Sequence, residues 1–166
     1  MVRLRRIDPG DGLILKQARL GALEESPEAF SSTLAAEASR IDSEWADRAT
    51  AGSSGTSRIT VFAEADHGVV GLVGGYRKLN AASTVELVSM WVSPTARRQG
   101  IGLALAQAVV DWARETGARE VAVGVAEGNV AAKHLYEAIG FASTGAAAPV
   151  PARPTLVELR MVMPLE

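Results

Sequence analysis

The chain has no cysteine among its 166 residues, so it can build no disulfide framework, no thiolate zinc site and no cysteine nucleophile. Its two histidines, His67 and His134, lie far apart in sequence and make a poor metal set, so no metal site is expected. Aromatic residues make up only 5%, and a formal net charge of −2 leaves no basic stripe interleaved with aromatics, which argues against a nucleic-acid partner. Long apolar runs are missing too. None reaches the roughly 18 residues of a membrane span, and Ile7-Asp8-Pro9-Gly10-Asp11 follows the basic start where a signal peptide needs an apolar core. That pattern predicts a cytoplasmic protein with no membrane partner.

What is present is 48% hydrophobic and 22% charged, the range of a single globular domain over 1–166 with one sizeable core. Alternation from Val2 to Ile7 predicts a first strand, ended by Asp8-Pro9-Gly10. Helical spacing predicts one helix from Leu13 to Glu25 and a second from Thr33 to Ala51, with Asp42 as an internal cap. Strands follow at Ile59–Ala63 and Val69–Val73, joined by a hairpin turn at Asp66-His67-Gly68, and another at Val85–Val92. Gly100–Thr116 reads as a long helix, Val121–Val125 as a strand, and Asn129–Ile139 as a helix stopped by Gly140. The Pro-rich loop to Pro154 leads into a last strand, Leu156–Val162. The order is mixed α/β without internal repeats.

Two segments carry chemistry. In Met90-Trp91-Val92-Ser93-Pro94-Thr95-Ala96-Arg97-Arg98-Gln99-Gly100-Ile101-Gly102, a strand ends, turns and opens a helix. Unpaired N–H groups and the helix dipole make such a start a seat for an anion, and glycines let a phosphate approach the backbone. Arg97 can add charge-assisted hydrogen bonds to a pyrophosphate, and so can Arg98 if it turns toward the loop. Taken alone, the segment reads equally well as a solvated turn before an ordinary helix. It is not a P-loop, because no Lys-Ser/Thr pair follows Gly102, and a dinucleotide fingerprint fails at Leu105.

The second segment, Asn129 to Phe141, places Asn129 at a helix start. An apolar stripe runs through Ala131, Leu135, Ala138 and Ile139, while Asn129, Ala132 or Lys133, and Tyr136 share another face. By itself this is also what a helix cap and an amphipathic-helix tyrosine look like.

The first segment resembles the pyrophosphate-binding signature of the GNAT superfamily of acetyl-CoA-dependent N-acetyltransferases, Gln/Arg-x-x-Gly-x-Gly/Ala, met here by Arg97 to Gly102. The second resembles that family's Asn-x-x-Ala-x-x-Leu-Tyr-x-x-x-Gly-Phe, met at every named position. The resemblance implies a central mixed, mostly antiparallel sheet of about six to seven strands with about four helices, splayed at the strand before the Gly-rich loop. It implies acetyl-CoA as cosubstrate. Backbone of Met90, Trp91 and Val92 would take the pantetheine arm, Gln99, Gly100, Ile101 and Gly102 the pyrophosphate, and Asn129 and Ala132 would border the arm near Tyr136. A homodimer is a further expectation from the family, and a catalytically silent acyl-CoA-binding module is the alternative function.

For an amine to attack a thioester it must first lose a proton, its ammonium having a reference pKa of about 10.4. Tyr136, a phenol of reference pKa about 10, is the candidate acid for the departing thiolate. Glu86 is the candidate base. It shares a strand face with Val88, Met90 and Val92, although a position near a strand start also fits a solvated side chain. His134 and His67 are read as exposed, and Trp91 and Trp112 as core. The acceptor pocket is expected from Phe30 to Trp45, the ends of the central strands and the Ala146–Pro154 loop.

Overall fold

The computed structural model describes residues 1–166 and arranges them as β1 (Arg3–Arg6), α1 (Gly12–Glu25), α2 (Leu34–Ala38), α3 (Asp42–Ser53), β2 (Arg58–Ala65), β3 (Gly68–Lys78), β4 (Ala81–Val92), α4 (Ile101–Glu115), β5 (Glu120–Ala126), α5 (Val130–Ile139), β6 (Ala142–Val150) and β7 (Arg153–Pro164). The strands form one mixed sheet in the order β1-β2-β3-β4-β5-β7-β6. Every neighbouring pair is antiparallel except β4 and β5, which run parallel because α4 carries the chain across between them.

Period-two alternation divides the sheet's side chains between two cores. On one face Val61, Val73, Val85 and Val121 meet the α4 stripe of Ile101, Leu105, Val109 and Trp112, all of them buried. On the other face Phe62 and Leu72 meet Leu15 and Leu23 of α1 and Trp45 of α3. Burial of each such side chain contributes about 1.5–3 kcal/mol. The α4 helix can lie this close because β3 carries glycine beneath it: a Cβ on Gly75 would stand 2.9 Å from Val109 Cγ1.

Two expectations are corrected. The predicted helix over Thr33–Ala51 is two helices, α2 and α3, broken where Ile41 turns extended. The break lets Glu37 point inward at Arg19, Arg40 and Arg48. Ile41 rather than Asp42 occupies the cap, and Asp42 instead meets Lys16 at 3.0 Å. The second correction concerns Ala146–Pro154, expected as a loop. Its first half belongs to β6, whose pairing with β7 overrides the poor strand propensity of Ala and Gly, with a register shift between Ser143 and Ala147 and a left-handed Gly145 (φ 81°).

The feature that makes a site is a fork. Strands β4 and β5 pair only where Thr84–Leu87 meets Glu120–Val123. Past Leu87, β4 bulges against β3, with Ser89 at a φ of 60°, and follows β3, while β5 follows β7. A non-glycine residue is costly in that conformation. Arg19 on α1 steadies it by donating to Ser89 Oγ.

Candidate active site

One arm of the fork opens a groove of about 690 Å³, bounded by Met90, Trp91 and Val92 on β4, by Arg97, Arg98 and Gly100–Leu103 at the start of α4, and by Asn129, Ala132, Leu135 and Tyr136 around α5. Here the chain offers backbone rather than side-chain recognition. Met90–Val92 have no partner strand on the β5 side. Gly100 takes a left-handed φ of 80° to open α4, whose first turn holds no acidic residue and no capping side chain. Its first N–H groups are therefore unclaimed within the helix and carry the positive end of the dipole. Gly102 sits beneath α5: a Cβ there would meet Leu135 Cδ1 at 2.8 Å.

Arg97 borders the groove but is engaged. Its Nε donates to the Val92 carbonyl at 2.9 Å, and its Nη2 reaches Glu25 Oε2 at 2.8 Å. The same carboxylate accepts from Trp91 Nε1 at 2.9 Å. Desolvation works to raise the Glu25 pKa, but hydrogen bonds from Ser26 and Trp91 and the Arg97 charge outweigh it and hold it below the usual carboxylate value. Arg98 is exposed, with a φ of 63°.

Deeper in the fork a second cavity of about 480 Å³ opens on the α1–α3 side. The two cavities share Ala29, Met90, Asn129, Ala132 and Tyr136 in their linings. Tyr136 is only 3% exposed and packs edge-on to Phe141 at 5.4 Å. Burial raises its pKa well above that of a free phenol, so it remains a proton donor at neutral pH. Its hydroxyl is not sealed away: the one fully buried side-chain polar atom without a partner is Trp45 Nε1. Asn129 caps α5 by accepting from Ala132 N at 3.1 Å, which fixes its side chain at the junction of the cavities. Cap and cavity wall are thus the same residue.

The second cavity is built from ionic side chains. Glu86, 9% exposed, accepts from Arg160 Nη2 at 3.0 Å and Nη1 at 3.4 Å, and stands 3.8 Å from Lys78 Nζ. That pairing holds Arg160 above its ordinary pKa. Buried Arg19 is anchored by Glu37 at 3.1 Å, which also pairs with Arg48 at 3.2 Å. Glu158 also lines this cavity.

The structure brings the expected residues Met90, Trp91, Val92, Arg97, Arg98, Gly100, Ile101, Gly102, Asn129, Ala132 and Tyr136 to one groove, leaves Gln99 outside its lining, and puts Glu86 in the adjoining cavity. Phe30 reaches that cavity, whereas Trp45 is sealed in the core. No residue of the Ala146–Pro154 stretch lines the cavity; there Arg153 ties the β6–β7 hairpin to the carbonyl of Pro27. Both histidines are exposed, and Trp112 is core. Trp91 is half-buried and serves both the core and the groove. Sequence reasoning missed Arg19, Lys78, Glu158 and Arg160. The one signal for the last two was a pair of charges two residues apart, on one face of an otherwise apolar strand.

The site is thus a sheet forked at its only parallel pair, with a helix start on one arm and a tyrosine at the junction. The chain belongs to the acetyltransferase (GNAT) family, whose model matches residues 22–141. It is 39% identical over 87 residues to the "Probable N-acetyltransferase camello" of Xenopus laevis, a match covering 52% of this chain and 40% of that protein. It is 34% identical over 86 residues to the human N-acetyltransferase 8, covering 50% and 38%. The matches therefore span well under half the length of those relatives. An acetyltransferase of the GNAT family from Streptococcus pneumoniae superimposes with a TM-score of 0.83 at 20% identity, covering 100% of both chains. The yncA protein of Salmonella typhimurium, solved with its cofactor acetyl-CoA, does so at 0.79 and 20%, covering 100% of this chain and 95% of that one. These likenesses establish the shared fold.

Proposed function

We propose that this chain is an N-acetyltransferase that moves the acetyl group of acetyl-CoA directly to an amine, on a small molecule or a protein. The observation that carries the reading is the position of Tyr136, buried where a backbone-lined groove and a charged cavity meet. Acetyl-CoA supplies an acyl group activated as a thioester. The residues present fit it: unclaimed amides and a missing side chain at Gly102 suit a pyrophosphate, and the unpaired edge Met90–Val92 suits the amide-bearing arm.

In this reading Tyr136 gives its hydroxyl proton to the departing sulfur, which its raised pKa permits throughout the neutral range. Asn129 holds the α5 start against the arm. Glu86 fixes Arg160 and Lys78 at the acceptor end, and its two-pronged pairing with Arg160 weighs against the base role expected of it. No enzyme nucleophile is needed, in keeping with a chain that has no cysteine.

The test is thiol release from acetyl-CoA across a panel of amines, with the product confirmed by mass. The wild type should turn over at least one amine. Tyr136→Phe should lower kcat by about 100-fold while calorimetry finds cofactor affinity unchanged. A chain that binds acetyl-CoA yet releases no thiol with any amine would be a silent binder, and the reading would fail.

A further inference from the structure

Two carboxylates line the acceptor cavity, and they are in opposite states. Glu86 is held by Arg160 and Lys78. Glu158, two residues before Arg160 on β7, makes no ion pair and accepts no hydrogen bond, and burial alone raises its pKa above the ordinary carboxylate value. Its place is made by an absent side chain: a Cβ on Gly124 of β5 would lie 2.9 Å from Glu158 Oε2 and 3.2 Å from Oε1.

The charged groups around it are already committed. From the sheet, β3 contributes Tyr76 and Lys78, β4 Glu86, β2 Arg58 and β7 Arg160. Lys78 and Arg160 belong to Glu86, and Arg58 lies over the Tyr76 ring at 5.4 Å. From the helices, Arg19 and Arg48 belong to Glu37, and Tyr136 is neutral. Across from Glu158, β6 offers only Ala148.

We propose that Glu158 is the catalytic base of this chain, taking the proton from the incoming ammonium in place of Glu86. The inference rests on the N-acetyltransferase reading above. An ammonium entering the cavity supplies the counter-ion that Glu158 lacks, so binding and activation use one group. Glu158 takes one proton from the ammonium. The freed amine then forms the C–N bond as the C–S bond breaks. Tyr136 passes its proton to the sulfur and recovers one from the acylated nitrogen, and the proton on Glu158 leaves to water. Per turnover, ammonium and thioester become amide, thiol and one released proton.

The test compares Glu158→Gln, Glu86→Gln and Gly124→Ala with the wild type in pH profiles of kcat/KM, in acetyl-CoA affinity, and in thermal midpoint without ligand. Glu158→Gln should lower kcat by about 100-fold or more, lose the acid limb of the profile and leave cofactor affinity intact. Glu86→Gln should keep that limb. Gly124→Ala folds at little cost, because the atoms it meets end a flexible side chain, and by pushing the carboxylate aside it should lower kcat and raise the KM for the amine.

The unliganded protein gives an independent readout. Because the folded pKa of Glu158 is raised, folding favours its protonated form, and stability falls as pH rises from the reference 4.5 through the folded value. Glu158→Gln should therefore melt higher than wild type at pH 8, with the gap closing at pH 4. An acid limb that survives in Glu158→Gln but vanishes in Glu86→Gln, or a Gly124→Ala with wild-type kcat, would overturn the assignment. Wild-type protein that turns over no amine would sink the N-acetyltransferase reading and this assignment with it.

Discussion

The two arms of the fork recognise their ligands by different means. On the α4 arm the donors are amides, the helix start carries no acid, and the decisive side chain is the one Gly102 lacks. Around the cavity on the β7 side the polar contacts are between side chains: Glu86 with Arg160 and Lys78, and, on the helices that close it, Glu37 with Arg19 and Arg48. Backbone donors survive every substitution except proline, whereas side-chain pairs can be exchanged without moving a strand. The difference suits a groove whose ligand is constant beside a cavity whose ligand can vary.

The comparison is most exposed at Gly102. Gly102→Glu places two methylenes and a carboxylate where the backbone would receive a diphosphate, removing charge-assisted hydrogen bonds and adding like-charge repulsion. We expect acetyl-CoA affinity to fall by at least about 100-fold. The fold should survive, since the nearest atom is the mobile end of Leu135, so the thermal midpoint serves as the control. Undiminished affinity would mean the amides are not the recognition element.

On the other arm the corresponding test is Glu37, whose side chain is 1% exposed and meets Arg40 at 2.6 Å, Arg19 at 3.1 Å and Arg48 at 3.2 Å. Desolvation acts to raise its pKa, but the hydrogen bond from Arg40 and the charges of Arg48 and Arg19 prevail and hold it below the reference 4.5. A depressed folded pKa means this carboxylate stabilises the fold above about pH 4.5 and ceases to do so as pH falls through the folded value. Glu37→Gln should cost about 3 kcal/mol at pH 7 in denaturant unfolding, with the difference shrinking below pH 4. Acetyl-CoA affinity should barely move. A large loss of cofactor affinity would show that the arms are coupled.

The same contrast explains what could be read in advance. The α4 arm is contiguous: Arg97 to Gly102 and Asn129 to Phe141 are short runs whose spacing expresses a helix start, so the fold class and most of the groove's lining were legible. The β7 arm is assembled from Arg19, Lys78, Glu86, Glu158 and Arg160, which only the sheet brings together. Glu86 could be placed on a strand face, but its engagement by Arg160 depends on β7 lying beside β5. Strand β6 escaped notice because Ala and Gly pair there only by virtue of β7. The Thr33–Ala51 break was hidden because the inward turn of Glu37 answers to arginines on α1 and α3.

The smallest effect lies at the rim of the α4 arm, at Glu25. It holds Arg97 at 2.8 Å and Trp91 at 2.9 Å, with Arg97 45% exposed, so the pair contributes under about 1 kcal/mol. Arg97 is the one arginine beside the α4 start with a carboxylate attached, and that carboxylate competes with any phosphate for the same guanidinium. Glu25→Ala should free Arg97 and tighten acetyl-CoA binding by about two- to fivefold. The gain should fade in high salt, since exposed charges are screened within about 10 Å at 0.1 M. If binding weakens instead, Glu25 aims Arg97 rather than restraining it, and the α4 arm also relies on a side-chain pair.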